Sequence, residues 1–144
     1  MNIFEALRKD HDIQRELLKK LVETSGDTKE RDDIFKKVKK ELVIHEDGEE
    51  RYFYIPLIDD DLTQEQARHA IAEHHEIDEL LEQLEEMDYD SPGWLKIAKK
   101  LKHDVEHHLE DEERTIFQMA GKVLTEKEKA SLSKEYQDYI KSQR

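Results

Sequence analysis

Two pairs of residues in this chain set a histidine and a glutamate four positions apart: His45 with Glu49, and His108 with Glu112. On a helix, residues four apart are neighbours on one side. Both pairs interrupt apolar stripes. The first follows Ile34, Val38 and Leu42 and precedes Phe53; the second lies among Leu101, Val105, Ile116 and Met119. A carboxylate beside an imidazole on the buried side of a helix is costly unless something pairs with both, and a metal ion does so. Two more histidines are placed in the same way. His11 comes one turn after Leu7 on a stripe of Ile3, Phe4, Leu7, Leu18 and Leu21, and His74 falls within Ala67, Ala70, Ile71, Ile77, Leu81 and Leu84. The candidate metal ligands are therefore His11, His45, Glu49, His74, His108 and Glu112. Mixed nitrogen and carboxylate donors suit iron, manganese or zinc. Four imidazoles and two carboxylates able to bridge hold two ions better than one.

These residues need helices to position them, and the breakers and caps mark out five. The first is expected at 2–24, with Asn2 as N-cap and Gly26 as the stop. The second spans 29–55, capped by Asp27 or Thr28 and ended by Pro56. The third opens with a Thr63–Gln66 capping box and reaches Met87; the fourth runs from an N-cap at Ser91, with Pro92 at its first position, to Ala120 and is stopped by Gly121. A shorter helix at about 126–142 opens with a Thr125–Glu128 capping box. It has no histidine and is assigned a structural role. Four long helices with short links favour an all-α fold, an antiparallel up-down-up-down four-helix bundle with a short additional C-terminal helix. The whole chain, 1–144, reads as one domain, with the bundle at about 2–120. At ~1.5 Å per residue, His11, His45, His74 and His108 lie roughly 12, 15, 15 and 18 Å from one end of that bundle, nearly one level. Glu49 and Glu112 fall one turn below their own histidines, where they can bridge two ions.

Neighbouring residues read differently. His69, His75, His103 and His107 lie off the stripes among charged residues and are expected in solvent. Glu50 and Glu113 turn about 100° from the ligand glutamates, towards solvent or salt bridges. Glu41 is a candidate partner for the outer nitrogen of His45, or else pairs with Lys37 or Lys40. Tyr52 and Tyr54 read as packing residues. Gly48, inside a helix at a cost of about 1 kcal/mol against alanine, either makes room for a ligand or a close helix, or is simply tolerated.

Composition excludes several functions. A formal net charge of −13 disfavours nucleic acid and anionic membrane surfaces. Without cysteine there is no disulfide framework, thiolate-held iron–sulfur cluster or cysteine nucleophile. The N-terminal residues show no signal-peptide pattern, and no run approaches the ~18 apolar residues of a membrane span. The expected location is the cytoplasm; no protein partner is indicated.

The ordered set Asp10-His11, H-x-x-x-E-E at 45–50, Glu73-His74 and H-x-x-x-E-E-x-x-x-F at 108–117 resembles the hemerythrin-like (HHE) cation-binding domain. The resemblance covers about residues 3–120. It implies a non-haem centre of two iron ions, bridged by the two glutamates and an oxo or hydroxo group. Members of the family carry, store or sense oxygen, sense redox state or iron, handle nitric oxide or repair iron–sulfur centres. The oxygen carriers have H-x-x-x-H in the third helix, where this chain has His74 and Asp78. Asp78 would thus offer a carboxylate to the ion near His74 and His108, or turn away towards a lysine and leave that position open. The repair members' cysteine-bearing N-terminal region is not among these residues. Three readings follow: a di-iron protein that binds or senses oxygen or nitric oxide, a di-iron enzyme that reduces oxygen, peroxide or nitric oxide, and a bundle whose histidines only make hydrogen bonds.

Overall fold

In a computed structural model that describes residues 1–144, the chain is all helix and turn. Helix α1 spans Ile3–Val22 and α2 spans Lys29–Glu49; a π-helical turn at Glu50–Tyr54 joins α2 to the short α3, Ile55–Ile58. Helix α4 follows at Gln64–Glu86 and α5 at Trp94–Asp111. A second π turn, Glu112–Ile116, leads into α6, Phe117–Val123, and α7 closes the chain at Glu126–Gln143. No helix is long and apolar enough to cross a membrane.

The core shows how the helices run. One apolar cluster contains Ile3 and Leu7, then Phe53 and Leu57, then Ala67 and Ala70, then Ile116 and Ala120. The other contains Leu18 and Leu21, Phe35 and Val38, Leu81 and Leu84, Trp94 and Leu101. So α1 starts in the first cluster and ends in the second, α2–α3 returns, α4 repeats α1 and α5–α6 repeats α2. That alternation is the up-down-up-down order. Between the clusters lies a layer of buried polar residues: Asp10, His11, Gln14, His45, Glu46, Glu49, His74, His108 and Glu112. Helix α7 packs across α1 and α2 beside this layer.

Some boundaries differ from the sequence expectation. Pro56 does not end the second helix. It sits in the first turn of α3, just after the π turn, where the Ile55 N–H already bonds to the Glu50 carbonyl instead of following the α-helical ladder. Gly121 does not end the fourth, which continues to Val123. Helix α5 begins at Trp94 rather than after Ser91; the Ser91 carbonyl closes a turn by accepting the Trp94 N–H at 3.1 Å. The Thr63–Gln66 capping box is not formed. Thr63, buried, instead donates its hydroxyl to the Leu57 carbonyl at 2.6 Å, which fastens α3 to α4. The boxes at Asn2–Glu5 and Thr125–Glu128 are complete, and Thr28 caps α2.

The end of the bundle opposite α7 is tied by a buried arginine that no sequence pattern marked. Arg31 donates to the Thr24 hydroxyl (3.0 Å), the Thr24 carbonyl (2.6 Å) and the Tyr89 carbonyl (2.6 Å), and its guanidinium lies 4.5 Å from the Trp94 ring. It thus holds two interhelical links together. Arg31→Ala leaves these acceptors unpaired and is expected to cost roughly 2–4 kcal/mol in a urea titration. A loss below about 0.5 kcal/mol would show that water replaces the guanidinium without penalty.

Candidate metal centre

All six sequence-predicted residues meet in the polar layer, in two overlapping groups. His11, His45, Glu49 and Glu112 offer donor atoms within 4.8 Å of one another, and so do Glu49, His74 and His108. The Glu49 carboxylate faces both: Oε2 lies 3.3 Å from His45 Nε2 and 3.9 Å from His11 Nε2, while Oε1 lies 3.1 Å from His74 Nε2. Glu112 is divided in the same way, with Oε1 at 3.1 Å from His11 Nε2 and Oε2 at 3.5 Å from His108 Nε2. Both glutamates are wholly buried, and each histidine is at most 3% exposed.

The hydrogen bonds test whether these residues fit a metal. His11 Nε2, His45 Nε2, both Glu49 oxygens and Glu112 Oε1 are buried without a hydrogen-bond partner. Orphaned polar atoms of this kind are rare in folded proteins. The nearest donors stand 3.1–3.3 Å apart, close to the roughly 3 Å edge expected around an ion whose ligands lie ~2.1 Å away. The residues therefore fit a metal, since hydrogen bonding alone satisfies His74 Nε2 and His108 Nε2, 3.1 Å apart, but leaves His11 Nε2, His45 Nε2, both Glu49 oxygens and one Glu112 oxygen without partners.

Each imidazole points Nε2 inward, and most have a polar partner on Nδ1. His11 Nδ1 meets Glu113 Oε2 at 2.7 Å, His45 Nδ1 meets the Tyr136 hydroxyl at 2.7 Å, and His108 Nδ1 meets Glu73 Oε1 at 2.9 Å. His74 Nδ1 has only the longer approach of Glu50 Oε1, 3.4 Å. Metal-bound histidines are usually oriented through the second nitrogen in this way. Glu113 does so from a charged cluster: its hydrogen bond with His11 and its contacts with Arg15 outweigh burial and hold its carboxyl down at about 2.

The sequence expectation for the surrounding residues needs several corrections. Tyr54 is more than packing. It is fully buried, and its hydroxyl donates to Glu112 Oε2. Burial and the charges of Glu112 and Glu49 raise its phenol well above the usual range, so it keeps its proton. Glu41 does not reach His45 or pair with Lys37 or Lys40; it accepts from Arg144 at 2.9 and 3.1 Å. Asp78 belongs to neither donor group and pairs with no lysine. It stands near Glu46, whose carboxyl burial first and Asp78 second push up to about 11. Gly48 makes room for a helix: a Cβ there would lie 3.1 Å from side-chain atoms of Tyr136, Tyr139 and Ile140. The structural role given to the C-terminal helix is incomplete, since its Tyr136 touches His45. His69, His75, His103 and His107 are exposed, as expected.

Both carboxylate helices change to π geometry next to the ligand glutamate. In each, the N–H five residues beyond a carbonyl closes the turn: Ile55 onto Glu50, and Phe117 onto Glu112. The wider turn buries two consecutive residues, Phe53-Tyr54 after Glu49 and Ile116-Phe117 after Glu112. Single π turns of this kind are frequent at functional sites. The sequence held one signal, large apolar or aromatic residues at both the fourth and fifth positions after each glutamate, which a 3.6-residue period does not place together on one face.

Comparison with known proteins bears on the family and the fold. Residues 2–120 match the sequence profile described as the Hemerythrin HHE cation binding domain. Among solved structures, the crystal structure of a hemerythrin HHE cation binding domain-containing protein from Mycobacterium kansasii is similar, with a TM-score of 0.89 and 24% identity over 99% of this chain and 87% of that one. At that identity the likeness speaks for the fold. No curated protein matches.

Proposed function

This chain belongs to the hemerythrin HHE cation-binding domain family, and from that premise we propose that it is a non-haem di-iron protein that binds or senses oxygen or nitric oxide. The observation that carries the proposal is the set of inward Nε2 atoms and two shared carboxylates, of which His11 Nε2, His45 Nε2, both Glu49 oxygens and Glu112 Oε1 are buried without hydrogen-bond partners. Iron, when bound, supplies a redox-active Lewis acid able to take a diatomic ligand; manganese or zinc would suit the same donors. The protein's part is to hold the donors. Glu49 and Glu112 each present one oxygen to either half of the centre. Glu113, Tyr136 and Glu73 orient three of the imidazoles, and the two apolar clusters on either side keep bulk water from the layer.

One observation favours a second reading, a di-iron enzyme that reduces oxygen, peroxide or nitric oxide. The Tyr54 hydroxyl donates a hydrogen bond to Glu112, which puts a neutral O–H, able to hydrogen-bond a bound substrate, within the donor groups. The optical spectrum of the reduced protein before and after exposure to oxygen tests both. A spectral change that reverses when oxygen is removed supports binding or sensing. Sustained consumption of oxygen, peroxide or nitric oxide with a supplied reductant supports the enzyme. Protein from iron-fed cells that contains no metal overturns both.

A further inference from the structure

We propose that α7 is a working part of the metal centre, with Tyr136 as the positioning residue for His45 and with Asp10 and Arg144 linking that contact to the surface. The proposal rests on the reading of the centre given above. Helix α7 lies beyond the residues 2–120 that match the family profile, yet it supplies the hydrogen-bond partner of His45 Nδ1.

The direction of the hydrogen bonds follows from counting protons. The Tyr136 hydroxyl is 2.5 Å from Asp10 Oδ2 and 2.7 Å from His45 Nδ1. It has one proton. A carboxylate only accepts, so Tyr136 donates to Asp10, and its oxygen must accept from an N–H on His45. That fixes the Nδ1–H tautomer and leaves the lone pair on Nε2 pointing at Glu49 and His11. Asp10 also precedes His11 in the chain, so this one connection anchors both histidines of the same donor group to α7. Arg144 completes it, donating to Asp10 Oδ1 at 3.0 Å and to Glu41 Oε2 at 2.9 Å. Asp10, Tyr136 and Arg144 also line an open groove of about 450 Å3 between α1 and α7, so the connection runs from the buried layer to the surface.

The backbone of α2 is shaped for this contact. Gly48 lies within one turn of His45, and an alanine there would bring its Cβ to 3.1 Å from Tyr136, Tyr139 and Ile140. A side chain at that position would hold α7 off and take the Tyr136 hydroxyl from His45. The half of the centre built on His11 and His45 is therefore complete only with α7 docked, whereas His74 and His108 take their Nδ1 contacts from Glu50 and Glu73.

Tyr136→Phe keeps the ring and removes only the hydroxyl. Ferrous iron is titrated anaerobically into the metal-free variant and parent, and the His45 ring nitrogens of the metal-free proteins are read by nitrogen-15 NMR. The expected result is one of two ions bound about 10–100-fold more weakly, as for other lost partners of metal-bound histidines, and a His45 signal no longer confined to the Nδ1–H form. Tyr139→Phe, which changes a neighbouring ring of α7 that does not reach His45, is expected to leave both readouts at parental values. Parental iron affinity in Tyr136→Phe, or an unchanged His45 tautomer, overturns the proposal. Were Tyr136→Phe not to fold, Asp10→Ala decides on the same readouts, since it frees the Tyr136 proton to turn towards His45. A parent that binds no iron would overturn the functional reading above, and the tautomer comparison would still decide the role of Tyr136.

Discussion

Alanine in place of Glu49 is expected to empty both halves of the centre. Parent protein purified from iron-fed cells should contain about two irons per chain, as the two donor groups imply, and Glu49→Ala almost none. Glu49 alone belongs to both groups, one oxygen in each, so its loss removes a donor from either ion. Glu112→Ala should behave in the same way, because its two oxygens are also divided between His11 and His108. His45→Ala is the contrast. It removes a ligand from one group and leaves Glu49, His74 and His108 in place, so iron should fall towards one per chain. Metal analysis beside a far-ultraviolet spectrum separates these outcomes from misfolding. A folded Glu49→Ala protein with parental iron content would show that its carboxylate is not a shared ligand.

Removing metal from the parent is expected to lower the melting temperature by about 10 °C or more, since ions bound only by the folded state stabilise it by mass action. The stripped layer keeps Glu49, Glu112 and four imidazoles buried, and buried charges without full partners are costly. The size of the loss should depend on pH. In the metal-free layer burial works against protonated His11 and His108, but the carboxylates around them, Glu112, Glu113, Glu49 and Glu73, outweigh it and raise both well above 6.5. A histidine raised on folding contributes stability that is fully present below its unfolded value of about 6.5 and is lost as pH rises through the folded one. Metal binding has the opposite dependence, because it needs the same imidazoles deprotonated. The gap in melting temperature between loaded and stripped protein should therefore widen above pH 7 and narrow below about 6.5. Equal melting temperatures at pH 8, after verified removal of metal, would count against a buried site.

The sequence by itself determined the helices and the inventory of donors. Leu7, Leu18, Leu42, Ile77 and Leu101 recur at helical spacing, and His11, His45, His74 and His108 replace apolar residues on those same stripes. That pattern is local: each helix records which of its sides faces inward, so counting residues from the ends was enough to place the histidines near one level. The π turns after Glu49 and Glu112 escaped it, because a period of 3.6 has no place for one extra residue and the ladder shift is settled by packing Tyr54 and Phe117 into the core.

Only the tertiary structure decided which polar groups face one another across the helices. Asp78 sits one turn from His74 on α4, but it faces Glu46 of α2, and neither carboxyl belongs to the donor groups. Glu41 sits one turn before His45, but Arg144 reaches it first. Tyr136, far along the chain on a helix without histidine, takes the His45 nitrogen that Glu41 does not. A hydrogen bond between distant helices depends on their separation and rotation about their axes to within a fraction of an ångström. Nothing in the local order of residues carries that information; it is set when the apolar stripes pack and Gly48 lets α7 come close.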